Sequence, residues 1–102
     1  MTDLPVACTL SGVDQQERGD KLARILARVE ESRRLDEGLA LRFPGGEPVL
    51  EELTELIRLE RQCCAFLTFR LTVEPGGGPI WLELSGPPGT GAFLEAELGM
   101  YL

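Results

Sequence analysis

Residues 66–84 read FLTFRLTVEPGGGPIWLEL and carry the clearest structural signal in this chain. From residue 66 to residue 73 the sequence alternates with period two, which is typical of a half-buried β-strand. The apolar side of this strand carries Leu67, Phe69, Leu71 and Val73. A Pro/Gly-rich loop follows at residues 75–79, and a second short strand covers residues 80–84. This order predicts an antiparallel β-hairpin.

Periodicity before the hairpin predicts two further strands and two helices. Residues 6–10 read as a short strand, and Asp14 marks the start of a helix that we expect to end near Ser32. Residues 39–43 alternate as another half-buried strand. A second helix, with Pro48 in its first turn, then leads towards the hairpin.

The last predicted element is a short helix that begins at Thr90. Hairpins combined with helices of this length are typical of α+β domains, in which helices cover an antiparallel sheet. We therefore expect one α+β domain over residues 1–102, with an antiparallel sheet of about four strands and two to three helices on one face.

Length and composition place the chain among small globular proteins. It has 102 residues, of which 43% are hydrophobic and 26% are charged, so we expect one ordered domain without a second core. No apolar run approaches the roughly 20 residues that cross a bilayer, and residues 1–5 lack the features of a secretory signal. The sequence therefore predicts a cytoplasmic protein that has no membrane partner.

Charge and the lack of histidine exclude several function classes. Ten Lys and Arg residues against seventeen Asp and Glu residues give a net charge of −7, which disfavours binding to nucleic acid. Because the chain contains no histidine, it cannot form Ser-His or Cys-His nucleophile pairs or zinc sites with imidazole ligands. Neither Gly-rich stretch ends in the Gly-Lys-Ser/Thr of a phosphate loop, so we expect no nucleotide cofactor.

The adjacent cysteines Cys63 and Cys64 are the strongest functional candidates in a chain with three cysteines. Neighbouring side chains on a continuous helix diverge by about 100°, but at a helix-to-strand junction the second residue leaves the helix and the sulfurs can converge. Glu60 lies three and four residues before the pair, on the same side of the helix. It has two interpretations: an acid or base that supports the cysteines, or a solvated carboxylate. Arg61 adds positive charge, which favours thiolates. We also expect the helix end to admit water and ligand.

Three interpretations of the cysteine pair remain open. In the first, the two thiolates bind a soft ion such as Hg(II) or Cu(I), and Cys8 joins them from a neighbouring strand. In the second, the pair forms a labile vicinal disulfide, or one thiol acts as a nucleophile beside Arg61 and Glu60. In the third, the cysteines pack as small hydrophobes in an interaction module, whose function lies in an exposed apolar surface or a homodimer.

The run LERQCCAFLTF at residues 59–69 resembles the Glu-x-x-Cys-Cys-x-Phe-x-x-Phe pattern of small proteins linked to bacterial mercury-resistance loci. It is also similar to the segment appended to some mercury-responsive regulators. The likeness includes Cys-Thr-Leu at residues 8–10, Gly-Leu-x-Leu-x-Phe at residues 38–43 and the strand at residues 80–84. It therefore spans most of the chain.

This resemblance implies mercury or organomercurial handling through Cys63 and Cys64, with Cys8 as a third ligand. Glu60 and Arg61 are the residues that we expect to support these ligands. The resemblance implies no established enzymatic activity. We also expect this chain neither to bind operator DNA nor to transport mercury across a membrane. We therefore expect a binding protein that sequesters Hg(II) or hands it to a recipient, for which a mercury reductase or a regulator is the candidate.

Overall fold

The computed structural model describes residues 12–98, without the side chains of residues 12–16 and 18. Its elements follow in the order α1 (Gly12–Leu26), β1 (Glu31–Leu35), β2 (Gly38–Phe43), α2 (Glu47–Cys63), β3 (Thr68–Val73), β4 (Ile80–Ser85) and α3 (Thr90–Leu98). The four strands of this part of the chain form one antiparallel sheet in the order β1-β2-β4-β3. The predicted α+β class is confirmed.

The predicted hairpin is confirmed as β3 and β4, which pair along their full length. Phe69 lies directly opposite Leu84, so the two side chains lie on the same face of the sheet. The strand begins at Thr68, later than the start of the alternating run, because a turn first closes the chain after α2. In this turn the N–H of Leu67 donates a hydrogen bond to the carbonyl oxygen of Cys64.

The main core lies between the helices and one face of the sheet. Its buried members come from α1, α2, α3 and the two central strands, and they are Leu22, Ile25, Leu26, Leu41, Phe43, Val49, Leu53, Leu56, Ile80, Leu82, Leu84, Leu94 and Leu98. Because side chains of all three helices join one cluster with the same face of β2 and β4, the helices cover that face, as predicted.

Strand β1 replaces the predicted end of the first helix. The helix ends at Leu26 rather than near Ser32, and β1 pairs antiparallel with β2. Four of the five residues of β1 are exposed, so it lacks the apolar alternation that would identify it from sequence. Pairing with β2 holds the strand, and the guanidinium of Arg33 stacks 4.8 Å from the ring centroid of Trp81 on β4.

The first helix begins at Gly12, two residues before the predicted start at Asp14. The predicted strand at residues 6–10, which contains Cys8, lies outside the described residues. Among the helices of residues 12–98, none has the length and apolar content that a membrane crossing requires.

Candidate metal centre

The end of α2 determines how the adjacent cysteines are arranged. Cys63 is the last helical residue, and Cys64 leaves the helix with φ −118° and ψ 71°. The N–H of Cys64 still donates a 2.6 Å hydrogen bond to the carbonyl oxygen of Glu60. The pair therefore lies at the helix end, as predicted, and its two side chains are not held at the helical angle to each other.

Three side chains at this helix end bring metal-ligating atoms together. A carboxylate oxygen of Glu60 and the sulfurs of Cys63 and Cys64 all lie within 4.8 Å of one another. Bonds of about 2.3 Å place two sulfurs on one metal ion no more than about 4.6 Å apart, so shifts of a few tenths of an ångström suffice for shared coordination. The end of α2 thus forms a group that can hold a metal ion.

Burial of this group differs from the prediction. Cys63 and Cys64 are 0% exposed and Glu60 is 6% exposed, so the expected opening to water at the helix end is wrong. The interpretation of Glu60 as a solvated carboxylate is wrong for the same reason. Arg61, predicted to support the ligands, is exposed in the last turn of α2 and does not belong to the group of ligand atoms.

Aromatic packing explains the burial. Cys63, Cys64 and Phe66 form a small buried cluster, against which Leu67 and Phe93 pack. The ring of Phe93 meets that of Phe66 edge-to-face, with centroids 5.1 Å apart and planes at 86°. The turn after α2 thus brings Phe66 back against the cysteines, and α3 completes the apolar wall.

A narrow apolar cleft lies beside the group. Its volume is about 20 Å³, which is room for about one water-sized body. Glu60 and Cys64 line this cleft together with Phe93 and Glu97 of α3. The sequence analysis did not single out Glu97, which lies four residues after Phe93 and therefore on the same side of α3.

The two cysteines differ in oxidation state. Cys63 is disulfide-bonded, whereas Cys64 lies outside any disulfide. The predicted alternative of a vicinal disulfide is therefore wrong for this structure. A sulfur in a disulfide is not a thiolate, so the group offers two thiolate ligands only after Cys63 has been reduced.

The predicted third ligand, Cys8, lies outside the described residues. No protein family, curated protein or solved structure matches this chain. The resemblance to mercury-linked proteins consequently remains an expectation from the sequence.

Proposed function

We propose that the reduced chain binds a soft metal ion through the sulfurs of Cys63 and Cys64, with Glu60 as an oxygen ligand. The observation that carries this proposal is the approach of the three ligand atoms to within 4.8 Å of one another. Cysteines that only pack as small hydrophobes do not require a carboxylate oxygen beside both sulfurs, whereas a metal site does.

The donor set favours a soft ion. Two of the three ligand atoms are sulfurs, and thiolates select soft metals over Mg(II) or Ca(II). The chain has no histidine to supply a nitrogen ligand, and structural zinc usually takes four protein ligands. A site with two thiolates and one oxygen therefore suits a thiophilic ion that accepts few ligands.

Burial further narrows the choice of ion. Both sulfurs are fully enclosed, so uncompensated charge in this cluster is costly. Two thiolates and the Glu60 carboxylate carry three negative charges, so a divalent ion leaves one of them uncompensated and a monovalent ion such as Cu(I) leaves two, which favours Hg(II). Hg(II) is therefore the proposed ligand, and it would bind as a single ion, because the adjoining cleft has room for about one water-sized body.

The proposed role is cytoplasmic sequestration of Hg(II) or its transfer to a recipient in mercury resistance. The Glu-x-x-Cys-Cys-x-Phe-x-x-Phe resemblance supports this role, because it includes all three ligand residues and Phe66, which covers them. A mercury reductase or a mercury-responsive regulator is the proposed recipient.

Titration with Hg(II) tests the proposal. Fully reduced protein, freed of reductant under nitrogen, should show ultraviolet charge-transfer absorbance that saturates at one ion per chain. The double variant Cys63→Ser, Cys64→Ser should lose this saturable absorbance. The exposed neighbour Ala65 provides the matched control, because Ala65→Ser introduces the same side chain beside the pair and should bind like the parent.

Two results of this titration contradict the proposal. One is a lack of saturable uptake by the reduced parent protein, which would favour cysteines that serve only in packing. The other is unchanged uptake in the double variant, which would place the ligands elsewhere in the chain.

A further inference from the structure

We propose that the outer edge of β3 pairs with the same edge of a second copy of this chain, so that two four-stranded sheets join into one. Strand β3 lies at one end of the sheet order β1-β2-β4-β3 and pairs with β4 on one side. Within residues 12–98 no strand pairs with its other side. Such an edge is a template for the addition of a further strand. This surface is separate from the metal group, and the inference does not depend on metal binding.

The hydrogen bonds of the hairpin determine which backbone groups of β3 face outward. The β3–β4 ladder continues to Glu74, whose N–H donates a hydrogen bond to the carbonyl oxygen of Pro79. In an antiparallel pair, residues that bond to the neighbouring strand alternate with residues whose N–H and C=O point away from it. Because Glu74 bonds towards β4, the backbone groups that point to the outer edge are those of Phe69, Leu71 and Val73.

The side chains of the same three residues form an apolar strip on the core-facing side of this edge. Phe69 and Leu71 pack against the main core but are only partly buried, and Val73 is 51% exposed. On the neighbouring strand β4, the residues that face the core are fully buried. A second copy beside β3 would therefore remove from water the part of this strip that the helices leave exposed.

The opposite edge of the sheet is protected against such pairing. Three of the five residues of β1 are charged. At the start of this strand the N–H of Glu30 bonds to the carbonyl oxygen of Arg42, while the register places Glu31 opposite the same residue. Two residues opposite one form a β-bulge, and both bulges and charges protect sheet edges. Strand β3 has one charged residue, Arg70, among six and no proline, so its edge lacks these devices.

The edge of β3 fits a second copy in an antiparallel register centred on Leu71. With Leu71 opposite Leu71 of the second copy, Phe69 lies opposite Val73, so the apolar strips of both chains meet on one face. The three outward N–H groups of each copy then donate to carbonyl oxygens of the other, which gives six backbone hydrogen bonds along the seam between the copies.

Charge on the exposed face of the sheet favours the same register. Arg70 lies opposite Thr72 of the second copy, and Glu74 of that copy is its diagonal neighbour. Diagonal neighbours lie about 7–8 Å apart, which long side chains can span, and the two-fold symmetry repeats this pair of opposite charges. A shift by two residues in one direction would place Arg70 opposite Arg70. The same shift in the other direction would place Phe69 opposite Pro75, which has no N–H to donate.

Sedimentation equilibrium and hydrogen exchange test the pairing together. Reduced parent protein is kept in a reductant, so that no intermolecular disulfide contributes, and is measured over a range of micromolar concentrations. We expect a monomer–dimer equilibrium. Amide exchange followed by NMR should show that the N–H groups of Phe69, Leu71 and Val73 become protected as the dimer forms. The N–H of Ser32, which points to the outer edge of β1, should exchange equally fast at all concentrations.

The variant Val73→Pro separates the edge from the fold. The N–H that proline removes points outward, so the β3–β4 ladder keeps its hydrogen bonds. The seam loses a bond at each end, and the dimer dissociation constant should rise about tenfold or more. The matched control is Ser32→Pro, which removes an outward N–H from β1 and should associate like the parent. A second variant, Val73→Lys, keeps the N–H but places a charge opposite Phe69 and should also weaken association. Circular dichroism checks that all three variants are folded.

Three results overturn the proposal. One is a parent protein that stays monomeric at every concentration. Another is protection of the three outward amides already in the monomer, which would show that other residues of the same chain cover the edge. The third is unchanged association of both Val73 variants, which would show that the dimer forms through a different surface.

Discussion

The backbone N–H of Cys64 donates a 2.6 Å hydrogen bond to the carbonyl oxygen of Glu60, and this bond closes the last turn of α2. It ties the first and last residues of the metal group together through the main chain. Side-chain substitutions at either position leave both backbone groups in place. We therefore expect such variants to report on metal binding rather than on the end of the helix.

The substitution Glu60→Gln should weaken Cd(II) binding by the reduced protein about tenfold or more, because the amide keeps the shape of the side chain but loses the anionic oxygen. Isothermal titration measures the change. The matched control is Glu51→Gln, which makes the same replacement at an exposed position of α2 and should bind like the parent. Equal affinities of the two variants would remove Glu60 from the ligand set.

Acidification should weaken metal binding. A cysteine binds a metal as the thiolate, so every bound thiol must first release its proton. Each displaced proton changes the apparent binding constant about tenfold per pH unit while the thiols are protonated in the apoprotein. Cd(II) titrations of reduced protein between pH 6 and pH 7.5 should show this steep fall towards low pH, and Cys64→Ser should show a shallower one. An affinity independent of pH would contradict thiolate ligation.

Hg(II) should stabilise the reduced protein against heat. A ligand that binds only the folded state at one hundred times its dissociation constant stabilises it by about 2.7 kcal/mol. For a domain of this size, that sets an upper value of about 10–20 °C for the rise in melting temperature, because Hg(II) also binds thiols of the unfolded chain. Calorimetry should detect the rise in the parent but not in the Cys63→Ser, Cys64→Ser double variant. Equal shifts in both proteins would show that stabilisation arises elsewhere.

Sequence alone predicted the elements that depend on local signals. The hairpin followed from the alternation of residues 66–73, and the second helix from Pro48 and the apolar periodicity that follows it. The change of period after Cys64 predicted that the adjacent cysteines lie at a helix-to-strand junction, and the structure ends α2 at Cys63. Each of these sequence signals lies within a few residues of the element that it predicts, so it can be recognised without knowledge of the tertiary structure.

Features that depend on residues far apart in the sequence were not predicted. Strand β1 exists through its pairing with β2, because its own residues are mostly exposed and carry no apolar period. Burial of the cysteines depends on Phe93, which α3 brings from far along the chain. The sequence also could not predict that Cys63 is disulfide-bonded, because three cysteines allow several pairings and spacing alone does not choose among them.

Leu53→Ala should destabilise the fold by about 2–5 kcal/mol, because it removes buried methyl groups and leaves a cavity. Leu53 is 0% exposed in the main core, where α2 packs on the sheet. The control Leu35→Ala makes the same truncation at a residue that is 36% exposed, so its cost should be well below this range. Urea denaturation measures both values. Equal losses would contradict the burial of α2.

Gly38→Ala should destabilise the protein by about 1–3 kcal/mol or more, because the strand pair leaves no space for a side chain. A Cβ at Gly38 would overlap the carbonyl oxygen of Leu84 and lie 3.1 Å from the Cα of Ser85, both on the central strand β4. Gly19→Ala is the control: a Cβ at Gly19 would have no neighbour within 4 Å, and alanine favours a helix by about 0.5–1 kcal/mol over glycine. Urea midpoints should therefore move in opposite directions, and a stabilising Gly38→Ala would contradict the close pairing of β2 and β4.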